Sequence, residues 1–191
     1  MSYHVLSEEE TPGKFNAKHI QLQNIIANIS LKALSKDSVN LGIKRLSLDE
    51  KMSGFSLKKM SLKLVANNKQ TSIDNFAIEL PETSLKMDTI HLVYDSLQAF
   101  EHFAEEVHFS FRTLPSQITL KDISPFVPVL SHFKEPITLD MEVKGTVDQL
   151  NCSHLEIVSE EQQFRLRGDV SLQDLSHPQD AYVYGTLSEL S

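Results

Sequence analysis

The chain has 191 residues, with 18 Lys and Arg against 26 Asp and Glu and a formal net charge of −8. That balance argues against a nucleic-acid partner, because phosphate binding rests on clustered Lys and Arg, and the pairs Lys44-Arg45 and Lys58-Lys59 are too short to change it. The lone Cys152 excludes an internal disulfide, and no apolar run approaches the roughly 20 residues of a transmembrane helix.

Residues 1–17 read as a lead-in, poorly ordered or a short strand. They have no basic start and no apolar stretch, so they are not a signal peptide. From residue 18 to 121 the pattern predicts a first antiparallel sheet section. Apolar residues alternate with period two, the signature of strands buried on one face. One unit recurs: an alternating apolar pair, two polar residues, then another alternating set. It runs as Ile20, Leu22, then Ile25, Ala27, Ile29, Leu31. It returns as Leu41, Ile43, then Leu46, Leu48, and as Phe55, Leu57, then Met60, Leu62, Leu64. A short copy is Ile73, then Phe76, Ile78, Leu80, and the last is Leu85, Met87, then Ile90, Leu92, Tyr94. The breaks are Gln23-Asn24, Lys44-Arg45, Lys58-Lys59, Asp74-Asn75 and Asp88-Thr89.

Uncorrected, one extra residue flips every later side chain to the wrong face. A β-bulge restores the facing and bends the strand. A tight turn would instead split each unit into two strands. Only Gln23-Asn24 and Asp74-Asn75 resemble turn chemistry, so bulges are favoured at most breaks.

After Tyr94 the rhythm changes. Leu97, Phe100, Phe103, Ala104 and Val107 fit a weak helical face. Val107, Phe109 and Phe111 read as a strand stopped by Pro115, and Ile118 with Leu120 as another short one. A short helix is predicted within 122–133, running from the cap Ser124 through Pro125 to Phe133. A second sheet section, 134–191, resumes with Ile137, Leu139, Met141 and Val143 and ends at Tyr182, Tyr184 and Leu187, continuous with the first. The fold class is therefore all-β: a curved, elongated antiparallel sheet with one apolar face. The abrupt end after a strand pattern reads as the edge of a fragment.

No catalytic motif stands out. The glycines form no phosphate loop and there is no nucleophile elbow. Cys152-Ser-His154 with Asp148 falls short of the four ligands of a structural metal site. The remaining histidines read as solvated. The acidic runs Glu8-Glu-Glu10, Glu105-Glu106 and Glu160-Glu161 read as loops. No cofactor and no enzymatic activity are expected. The apolar stripes admit two readings: the core of a closed sandwich or barrel, acting as a structural or adhesive domain through its loops or an edge strand, or an open groove for acyl chains.

Ile20–Leu31, Ile43–Leu64, Ile73–Pro81 and Leu85–Leu92 resemble the repeated strand units of AsmA/TamB-like proteins. Leu120–Leu130 looks like that family's short "D-L-x-x-F-x-P-x-L" helix. Ile137–Gly145 and Phe164–Leu172 look like its "alternating strand, then Gly" units. The resemblance implies a long periplasmic parent anchored in the inner membrane of a Gram-negative envelope. It also implies a groove-forming sheet in outer-membrane biogenesis that moves phospholipid or assists outer-membrane protein assembly. The partners so implied are phospholipid acyl chains, neighbouring segments of the same parent chain and outer-membrane assembly proteins. The groove candidates are Ile29, Leu31, Leu62, Leu64, Phe76, Ile78, Ile90 and Leu92.

Overall fold

The computed structural model describes residues 3–5, 12–16, 19–159, 164–174 and 181–191. Glu8-Glu-Glu10, Glu160-Glu161 and His177 lie outside the described residues. Its strands are β1 Tyr3–Val5, β2 Ile20–Leu34, β3 Ser38–Glu50, β4 Ser56–Asn67, β5 Gln70–Glu79, β6 Ser84–Val93, β7 His108–Ile118, β8 Ile137–Gly145, β9 Gln149–Ser159, β10 Arg165–Gln173 and β11 Tyr182–Leu190. They form one open antiparallel sheet in which every strand lies beside its neighbours in sequence. β7 pairs directly with β8, so the two predicted sheet sections are continuous.

Each of the five predicted breaks lies inside a single strand and is a bulge. Gln23 and Ile26 face Asp49 and Ser47, so β2 holds one residue too many. Ile43 and Leu46 face Leu62 and Met60, and Leu57 and Met60 face Leu48 and Leu46. Asp74 and Ala77 face Lys63 and Ser61, and Met87 and His91 face Thr113 and Ser110. Two of the bulges place Asn in the left-handed region, Asn24 at φ 55° and Asn75 at φ 53°. Asn tolerates that conformation through its short polar side chain. Aspartates tie bulges to neighbouring strands: Asn24 Nδ2 donates to Asp49 Oδ2 at 2.7 Å, and Thr89 Oγ1 to Asp74 Oδ1 at 3.1 Å.

The bulges of β3, β5 and β6 are in line, while those of β2 and β4 lie opposite Leu48 and Ser47, nearer the β3–β4 turn. The β3 break lies opposite Ser61, and the β5 break opposite the next residue, Leu62. The β5 and β6 breaks face each other, because Asp74 pairs with Thr89 and Phe76 with Met87. Each bulge bends its strand, so aligned bulges bend the sheet along a common line. The bulge at Asn75 supplies a test. Asn75→Val puts a β-branched residue at φ 53° and is expected to cost about 1–2 kcal/mol, while Asn75→Gly leaves stability nearly unchanged. Urea denaturation of the pair checks this, and equal losses in both variants would contradict it.

The connections correct several expectations. Residues 97–106 do wind into helix, as a 3-10 turn Leu97–His102 followed by one α-helical turn, α1 Phe103–Glu106, and Val107 leaves it in extended backbone. The expected helix from Ser124 to Phe133 is replaced by two 3-10 turns, Leu120–Ile123 and Pro128–His132. Ser124 closes the first turn as its C-cap instead of opening a helix, and the residue before the second turn is Val127. Pro128 explains this, because a proline biases its predecessor away from helical backbone. Leu120 sits in the first turn rather than in a strand. Pro115 does not stop β7. It falls within the irregularity between Arg112 and Ser116, a place where a strand tolerates proline.

The connections fold onto the strand ends. At one end Tyr94, Ala99 and Val107 pack together against Leu92, with the Tyr94 and Phe100 rings 4.8 Å apart. At the other end Phe126 lies 4.9 Å from Phe15 and 5.0 Å from Phe55. Nearby, the β3–β4 turn closes on Glu50. Its carboxylate accepts from the Ser53 hydroxyl at 2.5 Å and from the amides of Ser53, Gln21 and Met52. Burial alone would raise its pKa, but these hydrogen bonds outweigh burial and hold it below the ordinary 4.5. Glu50→Ala strands those buried donors and is expected to cost about 2–3 kcal/mol. Because the folded-state pKa is depressed, Glu50's contribution is fully present above pH 4.5 and fades as pH falls through the folded value. Denaturant midpoints from pH 7 to pH 3 should therefore converge for wild type and Glu50→Ala.

Candidate functional site: an open apolar face

Directly paired residues share a face of an antiparallel sheet. Leu31 pairs with Leu41, Leu41 with Leu64, Leu64 with Ile73 and Ile73 with Ile90. Beside that row, Ile29 pairs with Ile43 and Ile43 with Leu62, and Phe76 pairs with Met87. A third row joins Ala27, Leu46, Met60, Ile78 and Leu85. Leu92 stands two residues from Ile90. All eight groove candidates therefore lie on one face, held there by the bulges.

The stripe continues beyond the candidates. Phe111 pairs with Val143, Val143 with Cys152, and Cys152 with Val170. Phe109 faces Leu92 across β6 and β7, and stacks beside Phe111 at 6.2 Å. Leu139, Ile157, Leu166 and Leu190 form another row. These positions alternate in the sequence too. What ties them to the first section is the β6–β7 and β7–β8 register, which the long connections at 94–107 and 119–136 hide.

The opposite face is polar. Ser30, Gly42, Lys63, Asp74 and Thr89 form one of its rows. Asp140, Glu156, Arg167 and Glu189 form another. There Arg167 donates to Glu156 at 2.7 Å and to Glu189 at 3.2 Å. Those partners raise the pKa of Arg167 and lower that of Glu156.

Among the described residues, no second sheet covers the apolar face. Ile29 is 55% exposed and Leu31 56%. Leu62, Leu64, Phe76, Ile78, Ile90 and Leu92 are half-buried among their strand neighbours. The covered parts lie at the strand ends, under residues 97–107 and 120–133. Between them the stripe crosses β2 to β11, roughly 43 Å at about 4.8 Å per strand.

The remaining sequence candidates do not assemble. Ser153-His154 is a further bulge, because Cys152 and Leu155 face Val170 and Gly168, and His154 is left-handed at φ 54°. Cys152 lies in the apolar rows, while the His154 ring is 3.9 Å from Asp140 of the polar face. Burial, then the nearby Asp169, push the Cys152 thiol up, which leaves it protonated and a poor nucleophile. No group of three or more His, Cys, Asp and Glu that could hold a metal occurs among the described residues. His19 departs from the expected solvated state: it is buried, with its Nε2 3.2 Å from Gln21 Nε2.

The fold and face define a class, an open single-layer antiparallel sheet that is apolar on one side and polar on the other. No protein-family model, curated protein or solved structure matches the chain.

Proposed function

We propose that this chain is a non-enzymatic segment of an AsmA/TamB-like protein, holding phospholipid acyl chains along its apolar face during outer-membrane biogenesis. Assistance to outer-membrane protein assembly is the companion role in that reading, and the setting is the periplasm. The observation that carries the reading is the continuous apolar face without a second layer. Ile29, Leu31, Leu62, Leu64, Phe76, Ile78, Ile90 and Leu92 line it. An acyl chain gains about 0.8 kcal/mol for each methylene it buries. It asks for a long apolar surface, not a shaped pocket. The polar outer face keeps such a sheet in water while the inner face is occupied. The closed-core adhesive reading needs a layer over the stripe, and the described residues provide none. Native mass spectrometry of the protein incubated with phospholipid vesicles is expected to show adducts of one or more phospholipid masses. A spectrum of bare protein under conditions that keep it folded would overturn the proposal.

A further inference from the structure

We infer that the sheet adds a second copy of itself head to tail, the β11 edge of one molecule pairing with the β2 edge of the next. Among the described residues both edges lack an outer strand partner over most of their length. β1 pairs only with Ile20–Leu22, so from Gln23 to Leu34 the outer side of β2 has no strand partner among the described residues. β11 pairs only with β10. Sheet edges that stay unpaired usually carry Lys, Pro or inward charges. β11, Tyr182–Leu190, carries no Lys, Arg or Pro, and β2 carries Lys32 alone.

The strand count suits this union. From β2 to β11 there are ten strands, each antiparallel to the next, so β11 runs opposite to β2. A copy carried along the sheet therefore presents β2 antiparallel to β11, with its apolar face on the same side. The register suits it too. One unbroken row runs Leu34, Val39, Ala66, Thr71, Leu92, Phe109, and on through Gly145, Leu150 and Leu172 to Val183. The next copy continues that row by setting its Leu34 beside Val183. Leu34 is 68% exposed and Val183 66%.

Charge favours this partner over others. Residues 20–67 carry a formal charge of +5 (8 basic, 3 acidic), and residues 134–191 one of −7 (4 basic, 11 acidic). A head-to-tail copy brings the basic end against the acidic end, whereas symmetric pairing of like edges brings like charges together. Unlike edges make a heterologous contact, which builds beyond a dimer, as a filament or, where its rotation closes, a ring. The inference does not depend on lipid binding.

The experiment is analytical ultracentrifugation of two blocked variants. In Val183→Lys/Leu187→Lys the β11 edge is blocked, and in Leu31→Lys/Leu34→Lys the β2 edge is blocked. All four side chains are exposed, and far-UV circular dichroism checks that each variant folds. Wild type is expected to grow beyond a dimer as concentration rises. Growth should be weaker at about 1 M salt, where the Debye length is about 3 Å, than at about 0.01 M, where it is about 30 Å. Each variant alone is expected to stay at 21.6 kDa, and an equal mixture to form a dimer that stops there. Wild type that stays monomeric at every concentration overturns the inference. So does a dimer formed by either blocked variant alone, which is the signature of symmetric or face-to-face pairing.

Discussion

Leu62→Glu and Phe76→Glu are expected to leave the protein folded and to remove most of its acyl-chain retention. Leu62 lies between Ile43 and the β5 bulge, and Phe76 pairs with Met87 on the same face. Both side chains are half-buried by strand neighbours rather than sealed under another layer. A carboxylate at either site can turn to water, so the stability cost should be about 1 kcal/mol, the scale of an ordinary substitution. The same carboxylate interrupts the stripe. Displacing two or three methylenes of a bound chain loses about 2 kcal/mol, roughly thirtyfold in affinity. Thermal melts followed by circular dichroism give the first number, and titration with a fluorescent fatty acid gives the second. In a closed core the order reverses, with collapse of the melt as the leading effect.

Gly145→Ala is expected to be among the most damaging single changes to the fold, at about 3 kcal/mol or more. Gly145 ends β8 with φ 131°, a conformation essentially reserved for glycine and costing other residues about 1–3 kcal/mol. A Cβ there would also lie 2.0 Å from the Gln149 carbonyl oxygen. That oxygen belongs to the tight turn into β9, where Thr146 N donates to it at 3.2 Å and Gln149 N donates to Thr146 Oγ1 at 3.1 Å. Relief of the clash must open this turn, and the Val143–Cys152 pair rests on it. Chemical denaturation measures the loss. Gly13→Ala serves as a comparison: it also has a positive φ, but nothing lies within 4 Å of the added Cβ, so it should lose only the backbone term. Equal losses at the two sites would contradict the packing argument.

Gly145 also shows what the sequence could and could not convey. The "alternating strand, then Gly" unit is visible in Val143-Lys-Gly145, yet its cause is the approach of the Gln149 carbonyl, which only the turn geometry reveals. The strands of the first section were legible because alternation interrupted by two polar residues has one economical solution, a bulge. Leu62, Leu64, Phe76 and Ile78 reach their common face through it. The bulge at Ser153-His154 was not legible, because Cys152 and the serine before a histidine blur the apolar rhythm on which the others stand out. The cap Ser124 and Pro125 suggest a helix over 122–133, but Pro128 interrupts it, and Phe126 turns to meet Phe15 and Phe55. That the apolar face is left uncovered was beyond the sequence altogether. A stripe of this kind has the same pattern whether a second sheet packs on it or not.

The central claim is that one face of this sheet carries acyl chains and the other does not. Photo-crosslinking tests it directly. Benzoylphenylalanine replaces Leu64 or Ile90 on the apolar face, or the adjacent Lys63 or His91, which point to the opposite side. After incubation with phospholipid vesicles and irradiation, lipid adducts are expected at Leu64 and Ile90 and none at Lys63 and His91. Equal labelling at all four positions, or none at Leu64 and Ile90 in folded protein, would contradict the account.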